Sequence, residues 1–182
     1  MSAPTLSVQT ADAPGPELRL RPPRVGDAAQ LWRIARDSRA LDLNSSYAYL
    51  LWCRDYAATS LVAEYDGDVV GFVIGYLRPQ APDTLFVWQI AVDERARGRG
   101  VAAALLHRLL DITTAVGAPN LETTITGDNT ASQALFGALA RDRGATLRTV
   151  ALFAAGDFPD THSAEDLYVI TPATPASQEE RR

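Results

Sequence analysis

The chain has 182 residues, 47% hydrophobic and 21% charged, with a formal net charge of −5 at pH 7. This is enough chain for one domain with a buried core, and the acidic balance argues against broad nucleic-acid binding, which needs a basic surface. Its single cysteine, Cys53, excludes an intrachain disulfide and a cysteine-built zinc site, and no apolar run approaches the roughly 20 residues that cross a bilayer.

Residues 1–16 are rich in Ala, Pro, Ser and Thr and lack periodicity. They read as a disordered lead-in, without the basic start and apolar stretch of a signal peptide, so a cytoplasmic location is expected. Residues 17–21 alternate polar and apolar side chains, which predicts a strand stopped by Pro22-Pro23. Asp27, which reads as solvent-facing, opens a helix through Leu31, Trp32, Ile34 and Ala35. After a polar loop at 42–46 a second helix follows, with Tyr47, Leu50, Leu51 and Ala58 on its apolar face and Cys53 as a small buried hydrophobe. Strands at 60–64 and 69–77 flank Asp66-Gly67-Asp68, a hairpin signal. Residues 84–92 form an apolar strand, and Val101, Leu105, Leu109 and Ile112 a helical stripe. A short strand at 121–125 leads to a helix at 129–140 with Asn129 or Thr130 as its cap. Strands at 147–153 and 166–170 close a folded domain of residues 17–170, and residues 171–182 read as a disordered tail. The order β-α-α-β-β-β-α-β-α-β-β predicts an α/β (α+β) fold with a mixed sheet, because hairpins and helical crossovers alternate.

The segment Arg97-Gly98-Arg99-Gly100-Val101-Ala102 lies between the apolar strand and an amphipathic helix. Its glycines let backbone approach an anion closely. The following helix offers unpaired N–H groups and a positive dipole end, and Arg95, Arg97 and Arg99 add charge. The context points to phosphate binding rather than to a merely flexible basic turn. No Lys-Ser/Thr follows the glycines, so a P-loop fits poorly; the G-x-G-x-x-G spacing of a dinucleotide site is also absent.

This segment and the element order resemble the GCN5-related N-acetyltransferase (GNAT) superfamily, whose Gln/Arg-x-x-Gly-x-Gly/Ala loop is matched by Arg97, Gly100 and Ala102. The resemblance implies a central sheet of six to seven strands with about four helices, and acetyl-CoA in a V between the strands at 84–92 and 121–125. It further implies that Ile90, Ala91 and Val92 meet the pantetheine arm, that the amides of residues 97–102 hold the pyrophosphate, and that Asn129, Ser132 and Phe136 face the cofactor. Many superfamily members place an acidic Tyr where this chain has Phe136, which has no proton to give.

Four further stretches, 42–47, 82–92, 121–126 and 128–136, resemble the L-2,4-diaminobutyrate acetyltransferase family of ectoine biosynthesis. That family transfers acetyl from acetyl-CoA to the γ-amine, uses no metal and is typically a homodimer. By this resemblance Asp42 and Glu165 bind the substrate ammonium, Tyr47 and Trp88 wall the pocket, and His162 is a further polar contact. Asp42, Glu122, Glu165 and His162, or a water between them, all remain open as the base that deprotonates the amine. Bland readings stand beside these: Asp42 as a loop cap, Trp88 and Tyr47 as core packing, His162 and Glu165 as solvated groups. Two other functions also remain: acetylation of another small amine, and a noncatalytic CoA-binding regulatory module.

Overall fold

Seven strands and four α-helices follow the expected order through residues 17–173, the part that the computed structural model describes. They are β1 (Arg19–Arg21), α1 (Ala28–Ser38), α2 (Ser46–Asp55), β2 (Leu61–Tyr65), β3 (Asp68–Arg78), β4 (Ala81–Val92), α3 (Val101–Ala115), β5 (Asn120–Thr126), α4 (Thr130–Asp142), β6 (Ala145–Phe153) and β7 (Glu165–Pro172). The strands form one sheet in the order β1-β2-β3-β4-β5-β7-β6. All its pairings are antiparallel except β4 with β5.

Each sheet face has its own core. On one side Leu85, Val87 and Leu121 pack with Leu105 and Leu109 of α3 and Phe136 of α4. On the other, Val62, Phe72 and Ile74 pack with Leu31 and Ile34 of α1 and Tyr49 of α2. Both faces of the central strands are therefore dry, which is why β3 and β4 read as long apolar runs.

The feature that positions the site is the junction of β4 and β5. They pair only at Thr84–Asn120, Leu85–Leu121 and Phe86–Glu122, although β4 continues to Val92 and β5 to Thr126. The strands splay apart beyond that point, and the Thr123 hydroxyl donates to the Val87 carbonyl at 3.0 Å, meeting the first acceptor left open. A bulge reinforces the divergence: Ile74 pairs with Gln89 and Gly75 with Val87, so Trp88 is the extra residue. Gly75 is required there, since a Cβ would lie 2.6 Å from the Phe86 carbonyl oxygen.

Some expectations differ from the structure, and others fall outside the residues it describes. β7 runs past Ile170 through Thr171 and Pro172, which pair with Thr146 and Ala145. The lead-in at 1–16 and the tail beyond 173 lie outside the described residues. The apolar face of α2 is also rotated: Tyr49, Trp52 and Cys53 are buried, whereas Tyr47 is 64% exposed and Leu50 is exposed too. Ala58 lies beyond this helix, in a 3-10 turn at Ala57–Thr59. The segment is apolar on nearly every side, so spacing alone does not fix its inward face. Finally, Asp27 is not solvent-facing. It accepts two hydrogen bonds from the Arg21 guanidinium, at 2.7 and 3.0 Å, while Arg21 Nε reaches Glu64 at 2.7 Å. This network ties β1 to β2 and to the start of α1.

Candidate active site

The open edge of β4 presents backbone groups to the splay. Asp93 N–H donates to the Val70 carbonyl at 2.8 Å, on the β3 side. Direction alternates along a strand, so Ile90 and Val92 turn their N–H and C=O groups away from β3, into the gap. The Val92 carbonyl accepts there from Arg97 Nε at 3.2 Å.

A cavity of about 400 Å³ occupies the splay, lined by Ile90, Ala91, Val92, Arg97, Ala102, Asn129 and Ser132 together with residues of the α1–α2 connection and α4. Seven of the expected cofactor residues thus come together. Gly98 and Gly100 hold left-handed backbones, φ 74° and 75°, in the turn into α3, and Gly100 is the N-cap of that helix with no side-chain cap on its first amides. Those amides remain available to an anion. Asn129 caps α4, accepting from Ser132 N–H at 3.1 Å.

The other expected cofactor residues sit differently. Val101 and Phe136 are buried in the core, 2% and 1% exposed. Only the Val101 backbone belongs to the turn, and the Phe136 ring packs inward because it lies on the apolar face of α4. Arg99 rests over the Tyr65 ring, 5.9 Å from its centroid. Arg95 contacts Asp68 and Asp93. Sequence reasoning missed Ser38, Ala40, Leu41, Ala131 and Leu135 in the cavity wall; small and aliphatic residues carry no chemical signal of a site.

Leu41 lines this cavity, and beside it Asp42 opens a second feature. Asp42 Oδ2 lies 2.8 Å from His162 Nε2, and Glu165 Oε1 lies 3.6 Å from the same nitrogen. The three ligating atoms fall within 4.8 Å of one another, the only such trio among the described residues. It bridges the arms of the splay. Gln89 of β4 donates from its amide to the Asp42 carbonyl at 2.8 Å, while Glu165 on β7 pairs with Thr126 at the end of β5.

The imidazole state follows from its partners. Nδ1 is 2.6 Å from the Ser163 carbonyl oxygen, which can only accept, so Nδ1 carries a proton. Nε2 then faces two carboxylates, and this position calls for a cation: a proton on Nε2, an ammonium or a metal ion. The Ser163 carbonyl, then Asp42, accordingly raise the His162 pKa above its ordinary value. Phe158 stacks on the ring at 4.1 Å and 20°, a support that no sequence pattern singles out.

Tyr47 and Trp88 both expose their rings; Trp88 is 48% exposed and packs on Trp52 at a centroid distance of 5.6 Å. Glu122, the remaining candidate base, is bound by Arg78 Nη1 at 2.6 Å. Cys53 is buried as expected, and burial pushes its thiol up to about 11.

Comparison with known proteins shows the family. Residues 28–140 match the acetyltransferase (GNAT) family. The L-2,4-diaminobutyric acid acetyltransferase of Nocardia farcinica is 60% identical over 164 residues, covering 90% of this chain and 84% of the relative. Its counterpart from Streptomyces coelicolor is 57% identical over 159 residues, covering 86% and 94%. The diaminobutyrate acetyltransferase EctA from Paenibacillus lautus, solved in complex with its substrate L-2,4-diaminobutyric acid and coenzyme A, superposes with a TM-score of 0.83 at 38% identity, over 87% of this chain and 96% of that one. The chain belongs to the acetyltransferase (GNAT) family and, within it, to the L-2,4-diaminobutyric acid acetyltransferases.

Proposed function

We propose that this enzyme transfers the acetyl group of acetyl-CoA to the γ-amine of L-2,4-diaminobutyrate, giving N4-acetyl-L-2,4-diaminobutyrate and CoA. The observation that carries the reading is the contiguity of two sites. Leu41 lines the cavity in the splay, and the next residue, Asp42, belongs to the cation trio. A thioester threaded along Ile90 and Val92 arrives beside an amine held by Asp42, Glu165 and His162.

The reaction is direct attack in a ternary complex. The α3 amides and Arg97 hold the pyrophosphate, and the open edge of β4 pairs with the pantetheine amides. A strand N–H polarises the thioester carbonyl and then stabilises the oxyanion. Asp42 and Glu165 draw in the diamine, whose γ-ammonium, with a pKa near about 10, must lose a proton before it can attack. His162 Nε2 takes that proton. The arriving ammonium satisfies the same carboxylates, the Nε2 proton leaves to solvent, and a neutral imidazole remains as the base. Phe136 gives no proton to the departing thiolate, which takes one from water. Tyr47 and Trp88 cover the amine with aromatic surface.

We read the reaction as a step of ectoine biosynthesis on the strength of the resemblance, and the lone free thiol of Cys53 supports a reducing cytoplasm. A homodimer is supported by β6. It is one of the sheet's two edge strands, and Leu147, Val150, Leu152 and Phe153 are exposed along it, an apolar edge that an isolated chain leaves open. CoA release with diaminobutyrate, compared with a panel of other small amines, tests the reading. A better acceptor in the panel, or no release with any of them, overturns it.

A further inference from the structure

We propose that Gln89 is a positioning residue for the acceptor site, acting through Asp42; the argument rests on the substrate reading above. Gln89 is a lone amide in an apolar strand and is 5% exposed. Its two ends are committed. Nε2 donates to the Asp42 carbonyl at 2.8 Å, and Oε1 accepts from the Tyr49 hydroxyl at 2.9 Å. The orientation is fixed by chemistry, because the Asp42 carbonyl can only accept and therefore selects the nitrogen end. Tyr49 is fully buried and packs edge-on against Phe72 at a centroid distance of 6.3 Å, so its hydroxyl is a rigid reference point.

The consequence reaches the site through the backbone. The Asp42 carboxylate is exposed, with a side-chain accessibility of 80%, and its loop has no regular secondary structure before α2. The bond from Gln89 is a tie between that backbone and the sheet. It fixes where the carboxylate stands relative to His162 on the far arm of the splay. Gln89 is also the residue before Ile90, whose backbone faces the cavity, and it follows Trp88, the bulge residue. One side chain thus registers the amine-holding loop against the strand edge along which the thioester lies, and a misplacement of about 1 Å in such an arrangement costs on the order of 100-fold in rate.

The test uses Gln89→Met, which keeps length and removes both polar ends, and Gln89→Glu, which keeps shape but, when ionised, cannot donate to the Asp42 carbonyl. Both are expected to raise the diaminobutyrate KM by about tenfold with the acetyl-CoA KM within about twofold. In an Asp42→Ala background, Gln89→Met is expected to add no more than about twofold, since its effect passes through Asp42. An unchanged diaminobutyrate KM in the folded variants, or full additivity with Asp42→Ala, overturns the proposal. Failure of the underlying reading looks different: Asp42→Ala alone then leaves the diaminobutyrate KM at the wild-type value. If Gln89→Met does not fold, Gln89→Glu carries the test through its own KM and its own cycle with Asp42→Ala.

Discussion

Asp42 and His162 stand 120 positions apart in sequence and meet at 2.8 Å, Oδ2 to Nε2. The contact joins the loop entering α2 to the segment before β7, across the gap where β4 and β5 part. Removing either carboxylate beside His162 takes away one wall of a cation site without touching the cavity. Asp42→Ala and Glu165→Ala are therefore expected to raise the diaminobutyrate KM by about tenfold or more while the acetyl-CoA Kd barely moves. Steady-state kinetics with calorimetry of the cofactor checks this; wild-type values of both constants contradict the assignment.

The pH dependence follows from the imidazole. Its pKa is raised by the Ser163 carbonyl and Asp42, and the base must be unprotonated, so kcat/KM should fall as pH drops through that raised value. His162→Gln should lower kcat by about 100-fold and remove this limb of the profile. The effect on stability has the opposite sense. A raised folded value means that the imidazolium's contribution is complete at acid pH and is lost as pH rises through that value. A His162→Gln profile that keeps the limb would show that another group titrates.

At the phosphate end, Gly100 has φ 75° and open space around its would-be Cβ. Gly100→Val consequently acts by backbone strain rather than by collision, costing about 1–2 kcal/mol for a left-handed residue and more for a β-branched one. The turn relaxes by moving the first α3 amides. A loss of at least about tenfold in acetyl-CoA affinity by calorimetry is expected, with an unchanged far-ultraviolet spectrum; retained affinity contradicts the cradle.

The Arg21–Asp27–Glu64 network predicts stability rather than activity. Burial alone would raise the Asp27 carboxyl, but the Arg21 bonds outweigh it and hold its pKa below the ordinary value. Its contribution is therefore present above about pH 4 and lost as pH falls through the lowered folded value. Asp27→Ala leaves a half-buried guanidinium short of a partner and should destabilise by about 2–3 kcal/mol. Thermal melts at neutral pH measure this, and a loss within about 0.5 kcal/mol would mark the pair as a surface contact.

The edge strand makes a separate prediction. Val150→Asp or Leu152→Asp puts charge into the apolar face of β6 without reaching the cavity. Sedimentation should then report a shift from dimer to monomer; a wild-type chain that sediments as a monomer rejects the interface.

Some of this was legible in the sequence for a physical reason. The glycines at 98 and 100, followed by the α3 stripe, can be read because backbone freedom and helical period are local properties. Asn129 as a cap is local in the same way. Alternation in β5 is clear once strands are assigned, yet it left Glu122 undecided, because the partner that occupies it, Arg78, comes from a different strand. The inward face of α2 is not legible, because Tyr47, Leu50, Trp52 and Cys53 are all apolar enough to face a core. Asp27 looked like an ordinary helix-start residue until Arg21 folded onto it. Gln89 is the instructive case: one amide in an apolar strand is a signal, but its meaning lies in Asp42 and Tyr49, which only the fold brings to it.

The central claim is that the cavity and the trio act together on one amine of one substrate. The most direct measurement is the position of acetylation, read by carbon–proton correlation NMR after turnover with acetyl-CoA and L-2,4-diaminobutyrate. A single product with its acetyl carbonyl coupled to the γ-methylene is predicted; acetylation at the α-nitrogen, or no CoA released, would contradict it.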